Sequence, residues 1–127
     1  MFFDIKMDFT RKACFVAGGH VTNPPSNITC SSVVARDSIR IAFLIAALND
    51  LQLLGGDIGN AYLQAETKEK VHMICGPEFG HAFQGRFALI CRTLYCLKSS
   101  GAAWRSTFTG TLQDLGFTSS LADPDVW

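Results

Sequence analysis

The chain has 127 residues, 48% of them apolar and ten of them Phe, so a core can form and disorder along most of its length is excluded. Eleven Lys and Arg balance eleven Asp and Glu, and zero formal charge argues against a stand-alone nucleic-acid binder while allowing a local basic cleft. Five Cys, an odd count with no C-x-x-C spacing, point to free thiols in a reducing setting rather than a disulfide framework.

Met1 to Thr10 mixes Asp4, Lys6 and Asp8 into its apolar residues and is no signal peptide. Lys12 to Val16 reads as a strand, and Gly18, Gly19 and His20 as a turn. Thr22 to Asn27 holds Pro24 and Pro25 and reads as an extended loop. A helix follows, capped by Asp37 or Ser38, with Ile41, Leu44, Ile45 and Leu48 as one apolar stripe and Asn49 and Asp50 at its end. The apolar run Ile41 to Leu48 is far short of the ~20 residues that span a bilayer.

Leu51 to Leu54 reads as a short buried strand leading into Gly55-Gly56-Asp57-Ile58-Gly59-Asn60. Lys70 to Cys75 is expected as a strand, with Val71, Met73 and Cys75 on one side and His72 and Ile74 on the other. Gly76 to Gly85 reads as a loop and Phe87 to Arg92 as a strand. A second helix is predicted from about Gly101 to Leu115, lined by Trp104, Phe108, Leu112 and Leu115 and stopped by Gly116 in a left-handed turn. Asp123-Pro124-Asp125 reads as a turn, and Val126-Trp127 as the opening of a strand. The elements alternate loosely, so the expected class is α/β or mixed α+β.

Asp57 follows an apolar stretch and precedes a glycine-bearing turn, which places a carboxylate where a ligand can approach. Such a group can hold Mg²⁺, whose ligands are hard oxygens. The commoner reading of the same pattern is a loop acid bonding its own turn. His72 and Cys75 lack the second ligand pair that structural zinc needs. Trp104 and Phe108 read as core, and most of the scattered Arg and Lys as solvated.

Several stretches, in order, resemble the reverse transcriptase domain of copia-type retrotransposons: Lys12 to Ala17, Ser31 to Val34, Ser38 to Arg40, Gly56-Asp57-Ile58-Gly59-Asn60-Ala61-Tyr62-Leu63, Gly76 to Phe79, Leu94 to Lys98, Ala103-Trp104, Leu115 to Phe117 and Asp123 to Trp127. The resemblance implies a partial right-hand polymerase fold, with residues 1–127 covering the fingers and the first part of the palm. It implies RNA-directed DNA polymerase activity by two-metal nucleotidyl transfer, with two Mg²⁺ ions, a dNTP and an RNA/DNA template-primer. Asp57 is then the catalytic, metal-binding aspartate and the Ile58 carbonyl a further metal ligand. Lys12, Ala61 and Tyr62 are nucleotide-binding, and Tyr95, Lys98 and Ser99 border the template and incoming base.

The family's Tyr-x-Asp-Asp hairpin does not occur in these residues, so truncation before it, and inactivity of the isolated chain in primer extension, are expected. Cys14 stands where the family usually has Arg, and Cys96 where it usually has Gly, a departure that strains the backbone if that position needs positive φ. A retroelement polyprotein, an intracellular location in cytoplasm or nucleus and no membrane contact complete the expectation. The alternative is a non-catalytic nucleic-acid-binding or structural remnant of such a polyprotein. An uncovered apolar surface and an unpaired strand edge predict poor solubility.

Overall fold

The computed structural model describes residues 2–19, 22 and 29–127. In chain order these form β1 (Phe2–Ile5), β2 (Arg11–Cys14), α1 (Arg36–Leu48), α2 (Ala61–Gln64), β3 (His72–Ile74), a 3-10 turn (Pro77–Phe79), β4 (Phe87–Leu89) and α3 (Ser100–Asp114). This is a mixed α/β arrangement, as composition and alternation suggest. The predicted turn at His20 and the remainder of the loop after Thr22 lie outside the described residues. No helix among the described residues is long and apolar enough to cross a membrane.

Contacts gather in two units: residues 1–30 with 60–104, and residues 31–59 with 105–127. In the first, β1 and β2 pair antiparallel from Phe2↔Cys14 to Ile5↔Arg11. The sequence reading did not include β1. Their loop closes through Phe9 N–H to the Lys6 carbonyl (2.9 Å) and Lys6 N–H to the Thr10 carbonyl (3.0 Å), with Phe9 at φ 62°. A tight turn followed by a left-handed residue is a common three-residue hairpin loop.

β3 and β4 pair antiparallel in the register His72↔Leu89, Met73↔Ala88, Ile74↔Phe87. The expected alternation holds: Val71, Met73 and Cys75 turn inward while His72 and Ile74 are exposed. Beside this hairpin, the Thr93 amide donates to the Ala65 carbonyl (3.0 Å), and the Thr93 hydroxyl, fully buried, donates to the Tyr62 carbonyl. Arg92 holds the end of α2 through the Gln64 carbonyl at 2.9 Å.

In the second unit α1 forms where the stripe predicted it, but its cap differs. Asp37 and Ser38 lie inside the helix, Ala35 is the capping position, and Asp123 accepts from Ala35 N–H (2.9 Å) and Ser38 Oγ–H (2.6 Å). A carboxylate far along the chain thus does the work of a local cap, satisfying an orphan amide and complementing the helix dipole. α3 ends as predicted: Gly116 has φ 88°, the Phe117 amide reaches Leu112 O (3.0 Å), and the Gly116 amide reaches Gln113 O (2.9 Å).

Leu51 to Leu54 is not the expected buried strand. It is irregular and exposed, with Leu54 fully so, because among the described residues no strand pairs with it. Val126-Trp127 forms no strand either; Val126 closes the Asp123 turn and accepts from Ser120 N–H. The buried apolar residues among those described are Ala46, Ala65, Cys75 and Leu97, a smaller core than composition suggests. Two-stranded sheets offer little face to pack against, and the α1 stripe of Ile41, Leu44, Ile45 and Leu48 is exposed.

Candidate functional site

The β1–β2 hairpin, the start of α2 and the segment around Tyr95 border a half-open hollow of about 370 Å³ within the first unit. That volume is in the range of small-molecule sites. Lys6, Arg11, Lys12, Cys14, Asn60 and Tyr95 are among its lining residues. Three cations and no carboxylate line it, so its walls favour an anion.

Each wall has a local cause. Lys12 is presented by β2, opposite Asp4 in the register. Asn60 sits at φ 52°, ψ 39° and starts α2, a left-handed conformation that Asn adopts more readily than most residues. Tyr95 is fixed by its backbone: its carbonyl accepts from Ala17 N–H at 2.9 Å, and it bridges Val16 in parallel. The Tyr95 ring packs edge-on against Tyr62, with centroids 5.1 Å apart at 79°. Gly19 is buried against the same segment, where any β-carbon would meet the Cys96 carbonyl group.

Of the expected site residues, Lys12 and Tyr95 share this hollow, and Tyr62 joins them through its ring contact. Ala61 is half-buried at the first position of α2. Lys98 donates to the Thr22 carbonyl at 2.8 Å, and Ser99 is buried with its hydroxyl on Glu69. Asp57 and Ile58 belong to the second unit, on an exposed irregular segment. Among the described residues no three His, Cys, Asp or Glu are grouped to hold a metal ion. Lys6, Arg11 and Asn60 are lining residues that sequence reasoning missed. The alternation of polar and apolar residues from Asp4 to Thr10 was the available signal, but it becomes a hairpin only once β1 pairs with β2.

The left-handed turn at Tyr95-Cys96 makes the Cys96 departure concrete. Cys96 has φ 72°, a conformation that costs a side-chain-bearing residue about 1–2 kcal/mol. Cys96→Gly is therefore expected to raise stability by about 1 kcal/mol, read as a higher midpoint in urea unfolding. An unchanged or lower midpoint would show that the turn is not strained.

In the second unit, Asp123 and Asp125 are both held below the ordinary carboxylate range. For Asp123 the Ser38 hydroxyl contributes most, followed by the Ala35 and Asp125 amides. For Asp125 the Ser32 hydroxyl comes first, then the Arg105 guanidinium, whose Nη2 lies 2.8 Å from Oδ1.

A family model for reverse transcriptase (RNA-dependent DNA polymerase) matches residues 3–126, nearly the whole chain. The chain belongs to the reverse transcriptase family. Among its relatives are two polyproteins of Saccharomyces cerevisiae. The truncated transposon Ty1-A Gag-Pol polyprotein is 32% identical over 112 residues, covering 87% of this chain and 9% of the relative. The transposon Ty1-BL Gag-Pol polyprotein is 31% identical over 112 residues, again 87% of this chain and 6% of the relative. These place this reverse transcriptase segment in the copia-type branch, and it spans less than a tenth of the length of those relatives. No solved structure matches it.

Proposed function

We propose that this chain forms the nucleotide-receiving part of an RNA-directed DNA polymerase, covering fingers and early palm of a right-hand fold within a longer intracellular polyprotein. The observation that carries the reading is the cation-lined hollow shared by Lys12 and Tyr95, with Tyr62 packed on Tyr95. Lys12 then meets the triphosphate of a dNTP, while Ala61 and Tyr62 lie beside its sugar. Tyr95, Lys98 and Ser99 border an RNA/DNA template-primer.

Asp57 and the Ile58 carbonyl suit a hard cation such as Mg²⁺, which takes oxygen ligands. They are one carboxylate and one carbonyl, so they fit part of a ligand set and not a two-ion centre. A complete site holding two such ions would stabilise an attacking 3′-oxygen and a leaving phosphate. The chain's own residues contribute binding and placement.

Lys12→Gln removes one charge from the hollow and is expected to weaken dATP binding to the 127-residue chain about tenfold in an equilibrium titration. A wild-type chain that ignores dATP, or a Lys12→Gln chain that binds it equally, contradicts the reading.

A further inference from the structure

We propose that Thr93 is a positioning residue: its buried hydroxyl fixes Tyr62 through the Tyr62 carbonyl and thereby sets how the site chooses between deoxyribose and ribose. The inference rests on the reading that Tyr62 lies beside the sugar of a nucleotide, and it goes beyond it by naming what holds Tyr62 there.

The need for a holder begins with α2. It has four residues, Ala61–Gln64, with Leu63 N–H on the Asn60 carbonyl (2.9 Å) and Ala65 N–H on the Tyr62 carbonyl (3.1 Å). One turn of helix is not stable alone, because fixing its dihedrals costs more than its few hydrogen bonds return. No side chain caps its start, and its last carbonyls have no partner further along the helix.

Arg92 and Thr93 supply those partners from outside. Arg92 Nη1 donates to the Gln64 carbonyl at 2.9 Å, the Thr93 amide to the Ala65 carbonyl at 3.0 Å, and the Thr93 hydroxyl to the Tyr62 carbonyl. The surroundings of these bonds differ: Arg92 is exposed, whereas Thr93 is fully buried. A buried bond has no water to take its place when one partner is lost. The β-branched Thr side chain also has few rotamers through which to leave the carbonyl.

The same stretch of chain holds the ring. Tyr95, just beyond Thr93, packs edge-on against Tyr62 with centroids 5.1 Å apart. Backbone and ring of Tyr62 are thus both seated on residues 93–95, one by a hydrogen bond and the other by an aromatic contact. Asn60 and Leu63, before and after Tyr62, line the hollow together with Leu94 and Tyr95. A small shift of the Tyr62 backbone therefore moves its ring relative to whatever occupies that hollow. Ribose differs from deoxyribose by a single oxygen, so a small shift is enough to change the choice.

The chain has two tyrosines, so ring-labelled tyrosine NMR reads the Tyr62–Tyr95 contact directly. In the 127-residue wild-type chain an inter-ring Overhauser peak and a slowly exchanging Thr93 hydroxyl proton are expected. A rapidly exchanging hydroxyl overturns the proposal without any variant. Thr93→Val keeps the shape and removes the hydroxyl. It is expected to lose the inter-ring peak and to lower the preference for dATP over ATP about fivefold in equilibrium titrations. Thr93→Ser, which restores the hydroxyl, is expected to keep both. Arg92→Gln, which loosens α2 without touching the Tyr62 carbonyl, is also expected to keep both. An unchanged inter-ring peak or preference in Thr93→Val, or equal losses in Arg92→Gln, overturns the proposal. If Thr93→Val alone loses the ring contact while wild type binds neither nucleotide, the positioning of Tyr62 stands, and the nucleotide reading falls together with the sugar choice.

Discussion

Gly19→Ala is expected to destabilise the first unit by about 3 kcal/mol and to weaken dATP binding with it. The added methyl group would meet the Cys96 carbonyl, with its carbon 3.0 Å away and Leu97 Cα at 3.6 Å. These are backbone atoms and cannot swing aside as a long side chain would. Either residues 17–19 or residues 95–97 must move, and the bond from Ala17 N–H to the Tyr95 carbonyl lies between them. Tyr95 would shift relative to Lys12 and Tyr62, so the hollow deforms as the unit loosens. Urea unfolding and a dATP titration on the same sample check both parts. A Gly19→Ala chain with wild-type midpoint and affinity would show that the close approach at Cys96 is not a constraint.

Asp123→Ala is expected to lower the melting temperature by about 5 °C, because α1 loses the oxygen that serves Ala35 N–H and Ser38 Oγ–H. Asp123→Asn keeps an acceptor and is expected to fall between the two. The pH dependence follows from the lowered folded-state values of Asp123 and Asp125. A carboxyl with a lowered folded value contributes stability that is fully present above its unfolded value, near 3.8, and is lost as pH falls through the folded one. Wild type is therefore expected to lose stability on acidification below about pH 4, and Asp123→Ala to lose less over the same range. A cap-free variant with an unchanged acid limb would contradict this assignment.

What the sequence made legible follows from which signals are local. The β3 alternation from Val71 to Cys75 needs only a period of two, and the α3 stop needs only Gly116; both are as read. The Cys96 turn was legible as a condition, and φ 72° meets it. Leu51 to Leu54 failed because an apolar run becomes a strand only with a partner edge, and sequence patterning cannot supply one. The α1 cap failed because its acceptor, Asp123, lies far along the chain, where no capping pattern looks. At the candidate site, Lys12, Tyr62 and Tyr95 could be singled out through family resemblance. Lys6 and Arg11 could not, since the hairpin end on which both stand exists only once β1 has paired with β2.

The most direct test of a nucleotide site in this hollow is amine footprinting of the 127-residue chain with and without saturating dATP, read by mass spectrometry. Lys12 lines the hollow, whereas Lys68 and Lys70 are exposed and do not. Selective protection of Lys12, with Lys68 and Lys70 labelled as before, is the expected result. Equal labelling of Lys12 in both samples would contradict the account.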